Sequence, residues 1–222
     1  MNATALLAGA RAALPFTPGI AVAGALVGSL ALRTGLSGLE AAAMSVFVFA
    51  GPAQIAALEA IESGAGVVAL VAIGLVINSR YLAYGAAIAP SLGESSPRER
   101  GVLAYLLTDT AFAVSAGELD EMEPAQRTRF VIGAGVAVWV AWQLGTAVGV
   151  WVGAPDPAPA VLAISIPLLI MGLVVPRLAS TPERLGALAA AGVAVFLPGI
   201  PAIWLVAAVT GTAVGLTAGA MR

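Results

Sequence analysis

Long apolar runs, separated by short polar stretches, follow one another along nearly the whole chain. Most of them have about 17 to 25 residues, the length that a helix needs to cross roughly 30 Å of hydrocarbon. The predicted spans are approximately 12–32, 39–61, 66–90, 101–117, 130–152, 161–175, 185–197 and 200–220. The last two are the least defined, because the LPGIP stretch between them is itself apolar. The pattern predicts an all-α polytopic membrane protein, with seven or eight spans in one transmembrane domain over residues 1–222.

Helix-breaking residues interrupt several of these spans, including the first and the sixth. The second span carries the sequence AGPAQ in its middle, which contains Gly51, Pro52 and Gln54. Proline removes a backbone donor, and a half-helix that starts there presents free N–H groups and the positive end of its dipole. We therefore predict that the second span breaks near Pro52 and that Gln54 faces a cavity. The alternative is a packing kink with an interhelical hydrogen bond.

A weak internal repeat is visible at an offset of 121 residues. It pairs Gly24 with Gly145, Gly28 with Gly149 and Gly51 with Gly172. Transporters often contain such repeats, which place interrupted helices around a central site. Chance coincidence remains the alternative, since the chain contains 26 glycines.

The composition narrows the possible functions. The 222 residues are 60% hydrophobic and only 10% charged, whereas soluble domains carry about 25% charged residues. Cysteine, histidine and lysine are absent, which removes thiol, imidazole and amine catalysts together with the usual soft metal ligands. We therefore expect neither an enzyme nor a cofactor or metal site. The net charge of −2 without a basic cluster gives no indication of nucleic-acid binding.

The arginines outside the spans indicate the topology. With the N-terminus inside, six arginines lie on the inner side and three on the outer side. The inner set is Arg11, Arg127, Arg129, Arg177, Arg184 and Arg222, and the outer set is Arg33, Arg98 and Arg100. This distribution predicts a cytoplasmic N-terminus. Because Arg11 follows the first short apolar stretch, the N-terminal segment is interpreted as a membrane helix and not as a cleaved signal.

Arg80 and Asp109 are charged residues placed well inside consecutive apolar spans. Arg80 lies 14 residues before the turn at positions 94–95, and Asp109 lies 14 residues after it. In an antiparallel hairpin the two are therefore level, roughly 20 Å from the turn. A charge at that depth costs about 3 kcal/mol or more without a partner. The spacing predicts an ion pair near mid-membrane, which either binds substrate or only locks two helices together.

Further polar side chains accompany this pair, and aromatic residues border it at Tyr105 and Phe112. One cation and one anion between aromatic side chains suit a small zwitterion. The predicted substrate-binding residues are Gly51, Pro52, Gln54, Asn78, Arg80, Tyr84, Thr108 and Asp109. Arg80 or the broken-helix amides would hold a carboxylate, and Asp109 would hold an ammonium group or a coupling proton. Glu59 is a second candidate for proton coupling.

At these residues the chain resembles the AzlC family of azaleucine-resistance or branched-chain amino acid permeases. The matching stretches are RAALPF, GLSGLEAAAMSVFVFAGPAQ, INSRYLAYG, LLTDTAFA and AWQLGTAVG, in that order. Many relatives have Glu directly after the aspartate, where this chain has Thr110, so Asp109 stands without a paired carboxylate.

The resemblance implies a secondary transporter that exports hydrophobic, branched-chain amino acids across a bacterial plasma membrane, with proton antiport as the expected coupling. It also implies a small second membrane subunit of the AzlD type. A channel or carrier for another small solute is the main alternative. A non-transporting scaffold subunit, in which the charged pair is only structural, is the second alternative.

Overall fold

The computed structural model describes residues 3–92, 95–153 and 181–196, with a few further positions between 210 and 218. Helices and the turns between them make up these residues, and no strand occurs among them. Two compact units are present, residues 1–169 and residues 170–222, and each is considered by itself. The prediction of one transmembrane domain over 1–222 stays a prediction.

Nine helices are described in the first unit and one long helix in the second. They are α1 (Ala3–Ala13), α2 (Thr17–Arg33), α3 (Gly38–Val48), α4 (Gly51–Glu62), α5 (Val67–Asn78), α6 (Arg80–Ile88), α7 (Pro97–Leu106), α8 (Asp109–Ser115), α9 (Pro124–Val152) and, in the second unit, α10 (Thr181–Phe196). Short 3₁₀ turns lie at Leu14–Phe16, Ala89–Ser91 and Leu119–Glu121.

The first five predicted spans all appear as helical segments. Thr4–Arg33, Val67–Ser91 and Pro124–Val152 are long and apolar enough to cross a membrane, which confirms the helical membrane class. The first span begins earlier than predicted, because the short apolar stretch before Arg11 joins the same helix. The fifth begins earlier because the polar residues 124–129 continue its helix. The prolines of the first span fit a 3₁₀ turn and the first turn of α2, so this span is not interrupted. The sixth span and nearly all of the eighth lie outside the described residues.

Helix α9 is the centre of the first unit. It packs against α1, α2, α3, α7 and α8, and its buried side runs from Thr128 to Gly149. Small residues allow the backbones of α2 and α9 to approach closely, as in many membrane helix pairs. A side chain at Gly145 or Gly149 would overlap the carbonyl oxygen of Ala21 or Ala25. Close backbone packing therefore fixes α9 against the N-terminal span.

The contact between α2 and α9 is symmetric at the offset of the sequence repeat. Gly24 lies against the backbone of Trp142, and Gly145 lies against that of Ala21. Trp142 and Gly145 follow Ala21 and Gly24 by 121 residues. The contacts follow the same order along both helices, so α2 and α9 are parallel, as the predicted topology requires. The third glycine pair includes Gly172, which lies outside the described residues.

Serine side chains cap the starts of α3 and α7. Ser37 begins α3 and Ser96 begins α7, and each exchanges hydrogen bonds with the glutamate three residues later. This capping box satisfies backbone donors that the first turn leaves free. Both connections thus end at a defined residue, and Ser96 fixes the start of the span that carries Asp109.

Candidate functional site

The charged residues of the third and fourth spans form the predicted ion pair. The Nη2 atom of Arg80 lies 3.0 Å from Oδ2 of Asp109. The hydroxyl of Tyr84 donates to the other carboxylate oxygen, Oδ1, at 2.8 Å. Both oxygens of Asp109 are therefore occupied by donors from α6. Since Arg80 and Tyr84 are four residues apart on one helix, a single face of α6 presents both donors.

Aromatic rings border this pair on two sides. The ring of Tyr84 stacks on Phe112 at a centroid distance of 4.7 Å, which places Phe112 at the site as expected. The guanidinium of Arg80 lies 5.1 Å from the ring centroid of Tyr81, and its Nη2 also donates to the Tyr81 hydroxyl at 3.3 Å. Cation–π contacts of this kind hold a guanidinium without neutralising it.

The pair is only partly enclosed by the described residues. The side chains of Arg80 and Asp109 keep 29% and 33% of their exposure. The Nε atom of Arg80 and Oδ1 of Asn78 are buried and lack a hydrogen-bond partner in the described part of the chain. Spare donor and acceptor capacity therefore remains beside a partly exposed ion pair.

Asp109 stands at the start of a half-helix, because the fourth span is broken. Helix α7 ends at Leu106, Leu107 and Thr108 are extended, and α8 begins at Asp109. The Thr108 hydroxyl accepts a hydrogen bond from the N–H of Ala111 and caps α8. The span predicted over 101–117 therefore contains a break that the sequence reasoning did not find. Neither proline nor glycine marks the break, and a threonine followed by an acidic residue is its only local signal.

The second span is broken where the sequence predicts. Helix α3 ends at Val48, Phe49 adopts a left-handed conformation with φ of 40°, and Ala50 is extended. Helix α4 then begins at Gly51, with Pro52 in its first turn and without a side-chain cap. A break of this kind frees backbone groups on both sides. The predicted interruption near Pro52 is confirmed.

Gln54 lies in the first turns of α4 and is completely buried. It is not among the residues that line the apolar cleft described below, and the expectation that it faces a cavity stays a prediction. The interruption turns the start of α4 towards α9, and the ring of Trp142 lies close to Gly51. Gln54 follows Gly51 by three residues and shares its face of the helix. It is therefore enclosed in the bundle.

Side chains from other helices satisfy the carbonyl groups at the end of α3. The Tyr105 hydroxyl donates to the carbonyl of Val46, and the indole N–H of Trp139 donates to the Tyr105 oxygen at 2.8 Å. Nε2 of Gln143 donates to the carbonyl of Ser45 at 3.2 Å. Sequence reasoning missed these roles of Trp139 and Gln143, because carbonyl acceptors freed by a break in α3 leave no pattern in the residues of α9.

An apolar cleft of about 720 Å³ lies among α3, α4, α5 and α6. Aliphatic and aromatic side chains line most of the cleft. Asn78 and Ser79 also line it, and they directly precede Arg80 in the sequence. Volumes in this range hold small molecules with mainly apolar surfaces. The apolar lining members include Met44, Phe47, Leu70, Val71, Leu75 and Leu82. Glu59, the second proton candidate, lies in the last turns of α4 with its side chain exposed.

The sequence matches a family model described as AzlC protein over residues 15–155. The chain belongs to the AzlC family. It is similar to an uncharacterized membrane protein of Archaeoglobus fulgidus, with 31% identity over 155 residues, which cover 68% of this chain and 66% of that relative. The match thus spans just under two thirds of the relative's length. No solved structure matches the chain.

The AzlC match contains all eight predicted substrate-binding residues and both helix breaks. It confirms the resemblance noted in the sequence, and the long apolar helices make this AzlC-family chain a multi-pass membrane protein. The structure brings Arg80, Tyr84 and Asp109 together, and it places Gly51, Pro52 and Gln54 at the start of α4 beside α9.

Proposed function

We propose that this protein is a secondary transporter that exports hydrophobic, branched-chain amino acids across the bacterial plasma membrane in exchange for protons. The observation that carries the proposal is the partly open Arg80–Asp109 pair, joined by Tyr84, deep in two consecutive spans. Charged residues at such depth in membrane proteins commonly belong to substrate or ion pathways.

The chemistry of the surroundings suits an amino acid. A zwitterion needs a donor for its carboxylate and an acceptor for its ammonium group, and the polar cluster contains both types. The neighbouring cleft is lined almost wholly by apolar side chains, which would receive an aliphatic side chain. Burial of a leucine side chain in such a space contributes about 2 kcal/mol. Large polar substrates would leave their own groups unpaired there and bind poorly.

Asp109 is the proposed coupling residue. Its carboxyl group holds either a proton or the ammonium group of the substrate, so the arrival of one can release the other. Such an exchange is what an antiporter requires. Glu59 is the reserve candidate, although its side chain is exposed on the far turns of α4. A cytoplasmic N-terminus and a small AzlD-type membrane subunit complete the proposal, and the sequence contains no nucleotide-binding loop that would indicate ATP as the driver.

Efflux from vesicles tests this function directly. Purified protein, with and without an AzlD-type subunit, is reconstituted into vesicles preloaded with radiolabelled leucine, valine or methionine. We expect saturable efflux that accelerates when protons flow in the opposite direction. Linear flux without saturation would indicate a channel, and no flux in either preparation would refute the proposal.

The scaffold alternative makes a different prediction for the charged pair. If the pair only joins two helices, the double variant Arg80→Asp with Asp109→Arg restores it and recovers function. If the residues contact substrate, the exchanged protein inserts normally and does not transport. A second test distinguishes a transporter from a scaffold subunit. Leucine should stabilise the purified wild-type protein if it is a transporter, whereas a scaffold subunit does not bind the substrate.

A further inference from the structure

A glycine lies in the interior of α5, on the wall of the apolar cleft. Gly74 lines this cleft, and its backbone is helical, outside the left-handed region that favours glycine. Glycine is a poor helix former, because it loses more backbone freedom on folding than any other residue. Its presence inside α5 therefore needs a reason other than helix formation.

Close helix packing does not explain this glycine. A Cβ atom at Gly145 would overlap a carbonyl oxygen of α2, whereas a Cβ atom at Gly74 meets no atom of the described residues within 4 Å. Ala53 and Ala57 of the neighbouring helix α4 line the same cleft. Small residues on facing membrane helices usually let the backbones approach. Here they leave space open, which belongs to the cleft of about 720 Å³.

The open space beside Gly74 continues towards the charged pair. Leu70, Gly74 and Asn78 all line the cleft, and their spacing of four residues places them on one face of the third span. Asn78 lies roughly 6 Å from Gly74 along the helix axis. Its Oδ1 atom is buried and lacks a hydrogen-bond partner in the described part of the chain. A solute with its polar group at this end of the cleft would therefore extend its apolar part past Gly74.

We infer that Gly74 determines which side chains the proposed transporter accepts, because the aliphatic side chain of the substrate occupies the space that this glycine leaves free. This inference rests on the proposed function and deepens it. A larger residue at position 74 fills that part of the cleft, so it should exclude leucine and methionine before alanine. Gly74 is thus a specificity-determining residue, and Arg80 and Asp109 keep their place in the polar part of the site.

Dissociation constants for leucine and alanine test this assignment on the purified full-length protein. They come from ligand-dependent melting in detergent. Gly74→Ala should weaken leucine binding about fourfold, the equivalent of one buried methyl group at about 0.8 kcal/mol. Gly74→Leu should weaken it about thirtyfold, the equivalent of about 2 kcal/mol for a side chain that is no longer buried. Alanine carries a single methyl group, so its binding should change by less than about fourfold in both variants.

Two comparisons separate the loss of space from a change in folding. Ala72→Leu adds the same side chain to α5 at an exposed residue that does not line the cleft, and it should leave both affinities unchanged. Gly74→Ala should melt no lower than wild type without ligand, because its methyl group meets open space and alanine is the better helix former. A lower melting temperature with unchanged leucine affinity would show a packing role and overturn the inference. An equal loss of leucine affinity in Gly74→Leu and Ala72→Leu would overturn it as well.

A thiol at position 74 reports on the cleft independently of transport. The chain has no cysteine, so Gly74→Cys and Gly85→Cys each introduce a single thiol. Both glycines are half-buried and a Cβ atom at either meets open space, but of the two only Gly74 lines the cleft. Leucine should slow the alkylation of position 74 by N-ethylmaleimide in a saturable way and leave the rate at position 85 unchanged.

The alkylation rates separate the role of Gly74 from the export function. The same rate at position 74 with and without leucine, in a protein whose leucine efflux is intact, would overturn the inference and leave export standing. Equal slowing at both positions would also overturn it, because a change outside the cleft would then explain the effect. Slowing confined to position 74 in a protein that does not transport would support the inference and refute export.

Discussion

Removal of the charge on either Arg80 or Asp109 should destabilise the folded protein, and removal of both should cost less than the sum. The single variants are Arg80→Gln and Asp109→Asn, which remove the charge and keep a polar side chain. Each leaves the other charge unpaired inside an apolar span. A double-mutant cycle subtracts the two single-variant free-energy changes from that of the double variant, and the remainder is the coupling energy between Arg80 and Asp109.

The size of the coupling follows from the geometry. The Nη2–Oδ2 distance of 3.0 Å is that of a charge-assisted hydrogen bond. Such bonds contribute about 1.5–3 kcal/mol when enclosed. About a third of each side chain remains exposed, which screens the pair, so we expect a coupling of about 1–2 kcal/mol. The Tyr84 hydroxyl adds a separate contact, so Tyr84→Phe should cost about 1 kcal/mol more.

Equilibrium unfolding in detergent micelles measures these free energies for the wild type, both single variants and the double variant. The Arg129–Glu99 pair provides a control, since it has a similar exposure and an Nε–Oε1 distance of 3.3 Å but lies in the first turns of α7 and α9, outside the predicted apolar spans. Its coupling should be smaller, because water at the ends of the helices screens this pair, whereas Arg80 and Asp109 lie inside apolar spans. Equal coupling in the two cycles, or a value below about 0.5 kcal/mol for Arg80 and Asp109, would refute the reasoning.

Three further results are expected. Asp109→Asn should insert normally and lose proton-coupled efflux, and efflux that still accelerates in a proton gradient would exclude Asp109 as the coupling residue. Gly145→Ala should destabilise the protein by about 1–3 kcal/mol, because the new methyl group overlaps a backbone carbonyl, whereas Gly85→Ala, which meets nothing within 4 Å, should not. The fraction of monodisperse protein on size-exclusion chromatography measures the effect. An equal decrease for Gly145→Ala and Gly85→Ala would contradict the prediction.

The last of these results concerns pH. Hydrogen bonds from Ser96 lower the pKa of the Glu99 carboxyl, with a smaller contribution from Arg129. The Glu99 carboxylate therefore stabilises the folded protein fully above the unfolded pKa of about 4.3. This stabilisation is lost as the pH falls through the lower pKa of the folded state. Wild type should exceed Glu99→Gln in melting temperature at neutral pH, and the difference should shrink below about pH 4. A constant difference would contradict the assignment.

Much of the site could be predicted from local sequence. Arg80 and Asp109 lie equally far from one turn, and a hairpin of two helices with fixed rise places equally distant residues side by side. The break of the second span follows from Gly51 and Pro52, because proline cannot continue the hydrogen-bond ladder. Both features depend on residues close together in the chain. The same reasoning missed the break before Asp109, where a threonine cap competes with the helix and no glycine or proline marks the change.

Only the tertiary structure decided which groups meet across the bundle. The apolar pattern shows that α9 crosses the membrane, yet it does not show that this helix carries the donors for the end of α3 or the Trp142 indole beside α4. Nor does the pattern show that Gln54 is enclosed. Inside a membrane protein apolar residues face both lipid and neighbouring helices, so hydrophobicity does not distinguish the two directions. Partners far apart in sequence are chosen by backbone approach at small residues, and that approach exists only once the helices have packed.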